Sequence, residues 1–415
     1  MTQLRFFNIT GLIGMRVQDP AVFAGMHTLV FDLVVAGNVQ GPRFDHTDGL
    51  ADPGAYLQTL RENVPNVPIW VKKILTGDET LPDWSVQGAT GYKAATMIAR
   101  LLIDAAGAER LRAAWVEQTG GQARFHDALS IAKGDVIRRD LAAELLRLIT
   151  LARNALDDAA TFEAGDEALR EAGIAPMTAF PRYRSYFTRN DPPVDDLALM
   201  AIVADFAGRG LRTPAVVNKI ALMISAPATG ALLAKAHEDT AGFRRTPILA
   251  ACEVGADFDC PALTAKAMQD WARAQPGTDL ILTSSHDTKR SKDARACLIT
   301  WTHLLGGALA LIDRAAALPA AQRVPGNVLL YLMQSVMAIW VPDDGDLGTR
   351  LAEHITKALR EADEITSWTH PVETTEAAVQ TLLAAMIAGG RAAPPDALAR
   401  LIARGEGLAL TQLAL

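Results

Sequence analysis

Two periodicities divide this chain. Three short stretches read as strands that end in polar residues, and elsewhere apolar residues return every three or four positions. The strand-like stretches are GNVQGPRFDHTDGLADP (37–53), PNVPIWVKKILTGDETLPDW (65–84), where Val67 to Val71 is an apolar run, and TDLILTSSHDTKRS (278–291), where Leu280 to Thr283 is a short β-favouring run. Apolar residues on both faces predict strands of a parallel sheet covered by helices. The helical period is plain in RRDLAAELLRLITLA, where Leu141, Leu145, Leu148 and Ala152 form one stripe. It returns in LGTRLAEHITKALREADEITSW, with Leu351, Ile355, Leu359 and Ala362 in register. The roughly 200 residues between the second and third runs exceed one strand-to-strand crossover, so they predict a helical insertion plus further sheet elements. GGRAAPPDA (389–397) reads as a loop.

Composition narrows the class. With 415 residues, 50% of them hydrophobic and 21% charged, the chain can bury a large core. A net charge of −7 argues against nucleic acid or an anionic membrane as partner. The three cysteines, Cys252, Cys260 and Cys297, make no CxxC pair, so neither a disulfide framework nor a zinc site is indicated, and buried or inert thiols are expected. The start MTQLRFFNIT has no signal-peptide pattern and no apolar run spans a bilayer, so a cytoplasmic protein is expected.

The strand ends carry the chemistry. In a β/α barrel, reactive side chains sit at the C-terminal ends of several strands. Asp45, Lys72 and the His286–Asp287 pair occupy such positions, and Arg43, two residues before Asp45, falls on the same strand face and can pair with it. Two carboxylates across a cleft suit glycosidic-bond chemistry, which needs a nucleophile and a proton donor on opposite sides of the bond. By itself an Asp–His pair after a strand is more often a cap or turn, and HDTKRS also reads as a loop entering a helix. His237, Glu238 and Asp239 read as a metal-type cluster or as a solvated turn. FPRYRSYF (180–187) offers aromatics for sugar stacking or for packing against helices.

Taken in order, RFFNITGLIGMRVQDPAVF, RFDHTDGLADP, GATGYKAAT, FPRYRSYF, LLAKAHEDTAGFRR, CEVGADFD, TSSHDTKR and ALREADEITSW resemble the maltooligosyltrehalose synthases of the alpha-amylase superfamily (glycoside hydrolase family 13). The resemblance implies an α/β fold, a partial (β/α) TIM-type barrel with a large helical insertion and a helical C-terminal part. It implies a barrel segment at 1–95, the insertion at 96–219, a second barrel segment at 220–300 and the helical part at 301–415. It makes Asp45 the nucleophile, Asp287 the transition-state stabiliser, and Arg43, His46, Tyr92, His286, Lys289 and Arg290 substrate-binding residues, with a maltooligosaccharide or α-glucan as substrate and no metal or cofactor.

The departures matter as much. Where the family has VEKIL, this chain has Val71-Lys72-Lys73-Ile74-Leu75, so Lys72 stands at the acid/base position. An ordinary lysine amine, pKa about 10.4, stays protonated near neutrality and cannot cycle as a carboxyl group does. Lys93 replaces an acidic residue, Asn8 an aspartate, SAPATG a glutamine-containing stretch, and Pro42 enters an expected central strand. The family's first barrel strands and its closing strand have no counterpart. Three readings follow: intramolecular transglucosylation that turns a reducing-end α-1,4 linkage into the α,α-1,1 linkage of trehalose; a non-catalytic glucan-binding protein; or one half of a split enzyme whose companion chain supplies the missing strands, with a homo-oligomer as the other expected partner. Lys72 favours the latter two.

Overall fold

The computed structural model describes residues 14–121, 124–155, 165–186, 193–209, 232–245 and 247–415. Asn8 and SAPATG (225–230) lie outside the described residues. The chain divides into two compact units, one of residues 1–91, 133–235 and 276–280, the other of 92–132, 236–275 and 281–415.

The first unit holds the sheet. Strands β1 (Arg43–Phe44), β2 (Trp70–Val71) and β3 (Gly88–Ala89) pair in parallel in the order β1-β2-β3. Parallel pairing was expected; β3 was not, because a Gly-Ala pair carries no hydrophobic run. Pro42 precedes an edge strand rather than entering a central one, and its carbonyl accepts the Trp70 N–H at 3.1 Å, so the pairing of β1 with β2 begins at that acceptor. The strand expected at Leu280–Thr283 does not form. Leu280 N–H donates to Ala89 O (3.0 Å), but Ala89 N–H donates to the Asp279 carboxylate (2.6 Å), and that side-chain acceptor takes the place of the next ladder carbonyl. Gly88 is required here, since a Cβ would lie 2.3 Å from Asp279 Oδ1.

Helices Pro20–Val35 and Pro53–Asn63 both begin with proline after an aspartate, Asp19 or Asp52, whose carboxylate accepts first-turn N–H groups. Phe23 from the first, Leu57 and Leu60 from the second, and Val64, Ile69 and Val71 of the β2 arm make one buried core. The stripe at 141–152 forms a helix only from Ala142, because the Asp140 and Leu141 N–H groups both turn back onto Val136 O and close the preceding helix, Phe125–Arg139. Its buried residues, Leu145, Ile149 and Ala152, include two of the expected four. Helix Asp166–Ala179 approaches at Gly173, where an added Cβ would lie 3.3 Å from Leu145 Cδ1.

The second unit is helical. Helix Leu347–Ala362 buries Leu351, Ile355, Leu359 and Ala362 as its pattern predicts, and ends at Asp363 in the left-handed region (φ 52°). The loop expected at 389–397 shrinks to 393–395 between helices Glu373–Ala392 and Asp396–Ala414. Gly390 stays helical because its bare Cα faces the Trp340 ring, 2.6 Å from where a Cβ would sit. Among the described residues there is no strand between Ala89 and 276, so the further barrel elements expected there are not seen, and no single helix is long and apolar enough to cross a membrane.

Because Leu57 and Ile69 are fully buried in one core, Leu57→Ala or Ile69→Ala should each destabilise the protein by about 2–5 kcal/mol in urea unfolding. A loss under about 1 kcal/mol would show that this core does not hold the first unit together.

Candidate functional site

The first unit carries the Asp45 half. Arg43 Nη2 lies 2.8 Å from Asp45 Oδ1, and Arg43 Nε reaches Thr90 Oγ1 (3.4 Å), which itself donates to Val71 O (3.0 Å). Arg43 is therefore braced across all three strand ends while it pairs with Asp45, whose side chain is 44% exposed. The register Phe44–Val71, continued by a bond from Lys72 N–H to Phe44 O (2.9 Å), sets Asp45 and Lys72 opposite each other at neighbouring strand ends. Strands in a sheet are about 4.8 Å apart. The expected nucleophile thus faces a lysine. His46, exposed, turns the chain through the left-handed region (φ 52°), and its ring lies over Gly49, where a Cβ would come within 2.7 Å of it.

Sequence reading passed over what holds this turn. Side chains alternate along a strand end, so Lys73 points opposite to Lys72 and is fully buried. Its ammonium meets Glu79 Oε1 at 2.9 Å, Asp48 Oδ2 at 3.3 Å and Ile74 O at 3.0 Å. Tyr186 donates to Asp48 Oδ1 (2.7 Å), and burial together with that carboxylate holds its phenol far above the ordinary value, so it stays a donor. Arg184, 1% exposed, donates to the carbonyls of Asp48 (2.6 Å), Leu50 (2.6 Å) and Ala51 (3.3 Å). Two cations and two carboxylates thereby bolt the turn after Asp45 to the end of β2. The aromatic–arginine motif at 180–187 serves packing: Phe180, Tyr183 and Arg184 are buried, and Tyr186 stands edge-on to Trp84. Phe187 lies outside the described residues.

The second unit carries the Asp287 half. Tyr92, buried at the start of helix Tyr92–Leu102, donates to Asp287 Oδ2 at 2.5 Å and lies 3.0 Å from Ser285 Oγ. His286 is exposed, its Nε2 3.4 Å from the same carboxylate oxygen. The loop enters helix Lys292–His303 through the Ser291 cap, as HDTKRS suggests. Glu253 accepts from Lys289 N–H (2.8 Å) and from Arg295 (3.1 Å), which also donates to Thr283 O (2.6 Å). Lys289 pairs with Asp239 (2.5 Å), while Arg290 donates to Cys252 O (3.2 Å) and Tyr331 Oη (3.3 Å). These contacts hold the loop from behind. His237, Glu238 and Asp239 belong to a π-helical segment, Lys235–Ala241, in which Glu238 is buried; this is neither a solvated turn nor a converging ligand set. Cys252 is buried as expected, but Cys260 is exposed.

Two tests follow. Lys73→Met would strand Glu79 and Asp48 without their cation and should cost about 3–5 kcal/mol, whereas Lys72→Met should stay within about 1 kcal/mol. Equal losses in chemical unfolding would refute the division of labour between the two lysines. Behind the second half, His354 accepts or donates at 2.8 Å to Tyr331, and burial, then the Arg290 charge, pull its pKa down to about 4. The unfolded chain, with histidine near 6.5, then binds more protons than the folded one between pH 6.5 and 4. Stability should fall by about 3 kcal/mol as pH drops through that window, and a pH series on His354→Gln should lose that part of the slope.

No family model matches the chain. A protein described as a putative maltooligosyl trehalose synthase, in two strains of Mycobacterium tuberculosis, is 33% identical over 404 residues, which cover 88% of this chain and 48% of that protein. The maltooligosyltrehalose synthase structure from Arthrobacter ramosus superposes with a TM-score of 0.83 at 27% identity, over 99% of this chain and 53% of that one. The hypothetical maltooligosyl trehalose synthase of Sulfolobus tokodaii shares the fold, with a TM-score of 0.79 at 22% identity. The chain spans about half the length of the curated relatives it matches.

Proposed function

We propose that this chain, a relative of the maltooligosyltrehalose synthases across about half of their length, serves trehalose and α-glucan metabolism by binding maltooligosaccharides, with little or no transglucosylation of its own. The observation that carries the reading is the register that sets Lys72 opposite Asp45. In the full reaction a carboxylate attacks the anomeric carbon while a carboxyl group protonates the departing oxygen and later takes the proton back. Asp45 keeps the position for attack, with Arg43 beside it. Lys72 brings a second cation to that carboxylate and puts an amine where the reaction uses a carboxyl group. Asp287, held by Tyr92, suits hydroxyl recognition and charge stabilisation on a glucan, and His286 offers an exposed ring to the same ligand. Lys289 and Arg290 act through the loop rather than on the sugar. In this reading β1–β3 are the strands of a partial β/α barrel, and the protein works in the cytoplasm without a metal or cofactor.

A second reading, one part of a larger assembly with a companion chain or a second copy, is favoured by helix Val194–Gly208, which exposes Val194, Leu197, Ile202 and Phe206. Product analysis on maltoheptaose, with light scattering of the same sample, tests both. The chain and its Lys72→Glu variant should both form trehalose-capped glucan far below the roughly 1–10³ per second of ordinary enzymes, and the parent should scatter as more than a monomer. A monomer whose Lys72→Glu form turns over normally would reduce the deficit to one residue.

A further inference from the structure

The last motif of the resemblance, ALREADEITSW, ends on a side chain that none of the chemistry above uses. Trp368 is 55% exposed, yet it is held in place. Its indole Nε1 donates to Glu361 Oε1 at 3.1 Å, and the Arg360 guanidinium sits over its ring, 5.2 Å from the centroid. Arg360 is itself fixed by a two-pronged pair to Glu376 (2.9 and 2.8 Å), so its charge is already answered. The turn beneath is tied at both ends. Thr366 Oγ1 donates to Glu376 Oε1 (2.7 Å) and accepts from Val372 N–H (2.9 Å), while Ser367 Oγ accepts from His370 N–H (3.0 Å). Thr369 Oγ1, 3.3 Å from Ser367 Oγ and 3.0 Å from His370 Nδ1, completes an exposed polar rim of two hydroxyls and an imidazole.

A single exposed apolar side chain needs no explanation. A rigid one with a ring of hydrogen-bonding groups at its edge does have a preferred ligand. An indole already fixed gives a large contact area at little cost in conformational entropy. The ligand that fits has a flat face of C–H groups, hydroxyls around its edge and no charge, since Arg360 is paired. A pyranose ring has those properties. We propose that Trp368, with Ser367, Thr369 and His370, is an additional glucan-binding site on the second unit, stacking one glucose ring of an α-1,4-glucan. The choice of an α-glucan over other sugars rests on the function proposed above; the platform itself does not. A second point of attachment would raise the effective concentration of long glucans at the protein.

Fluorine NMR on the full chain labelled with 5-fluorotryptophan tests this directly. The chain has seven tryptophans, and the resonance missing from Trp368→Phe identifies the one in question, while the others report that the fold is intact. Titration with maltoheptaose should shift the Trp368 resonance, and cellohexaose should not. Trp368→Ala should weaken maltoheptaose binding about 10-fold, with Trp368→Tyr recovering most of it. Asp45→Asn and Asp287→Asn variants separate the two proposals. If Trp368 still responds in them and their affinity is unchanged, this site stands and the reading of the strand-end residues falls. If maltoheptaose binds in an Asp287-dependent way and Trp368 is silent, this site is overturned and the other reading stands. No binding at all overturns both, as a Trp368 shift that follows protein concentration instead of sugar overturns this one in favour of a contact between copies.

Discussion

The first unit depends on a lysine ammonium that never meets water. Lys73 lies between Glu79 and Asp48, and those two carboxylates belong to segments that the sheet alone does not join. A cation buried in this way costs several kcal/mol to desolvate, and only close carboxylates and a carbonyl make its position tolerable. The consequence is geometric. Asp48 pairs with Lys73, and Arg184 holds the carbonyls of Asp48 and Leu50, so the turn through His46 is tied down just after it. Asp45, just before that turn, inherits its position from a network to which it does not belong.

The Asp287 loop is secured by the same means from different parts. Glu253 is the buried anion and Arg295 the buried cation, and between them they take one N–H and one carbonyl of the loop backbone. In both halves the candidate residues keep some exposure, from 21% for Asp287 to 66% for His286, while the ion pairs behind them are more deeply buried. Such a division keeps the exposed groups positioned without requiring them to stabilise the fold. Lys72 lies at the partly exposed end of a strand, and Lys73 next to it carries the structural load.

How much of this was legible depends on the kind of signal. The helix Leu347–Ala362 could be read outright because its stripe is local and its partners merely have to be apolar. Asp45 and Asp287 could be singled out because they stand in motifs that keep residue type and order. Lys73, Glu79, Asp48, Tyr186 and Arg184 gave no such sign: charged and polar residues along a sequence normally mean solvent, and only contacts across more than a hundred residues turn Arg184 and Asp48 into neighbours. The aromatics of FPRYRSYF suit sugar or packing equally in the sequence, and burial of Phe180 and Tyr183 chose packing for those two.

The sequence by itself determined the parallel pairing of β1 with β2, the amphipathic helices and, in Val71-Lys72-Lys73, a pair of lysines at the end of β2. Those are properties of residue type and short-range period. The tertiary structure decided which lysine of the pair is buried, that Leu280–Thr283 would not become a strand, and that Tyr92, Lys289 and Arg290 hold a loop from behind. Each of those outcomes turns on a single competing partner, such as the Asp279 carboxylate that takes the Ala89 N–H. A partner brought in from 190 positions away leaves no trace in the local pattern, because hydrogen-bond competition is settled only once the chain has folded.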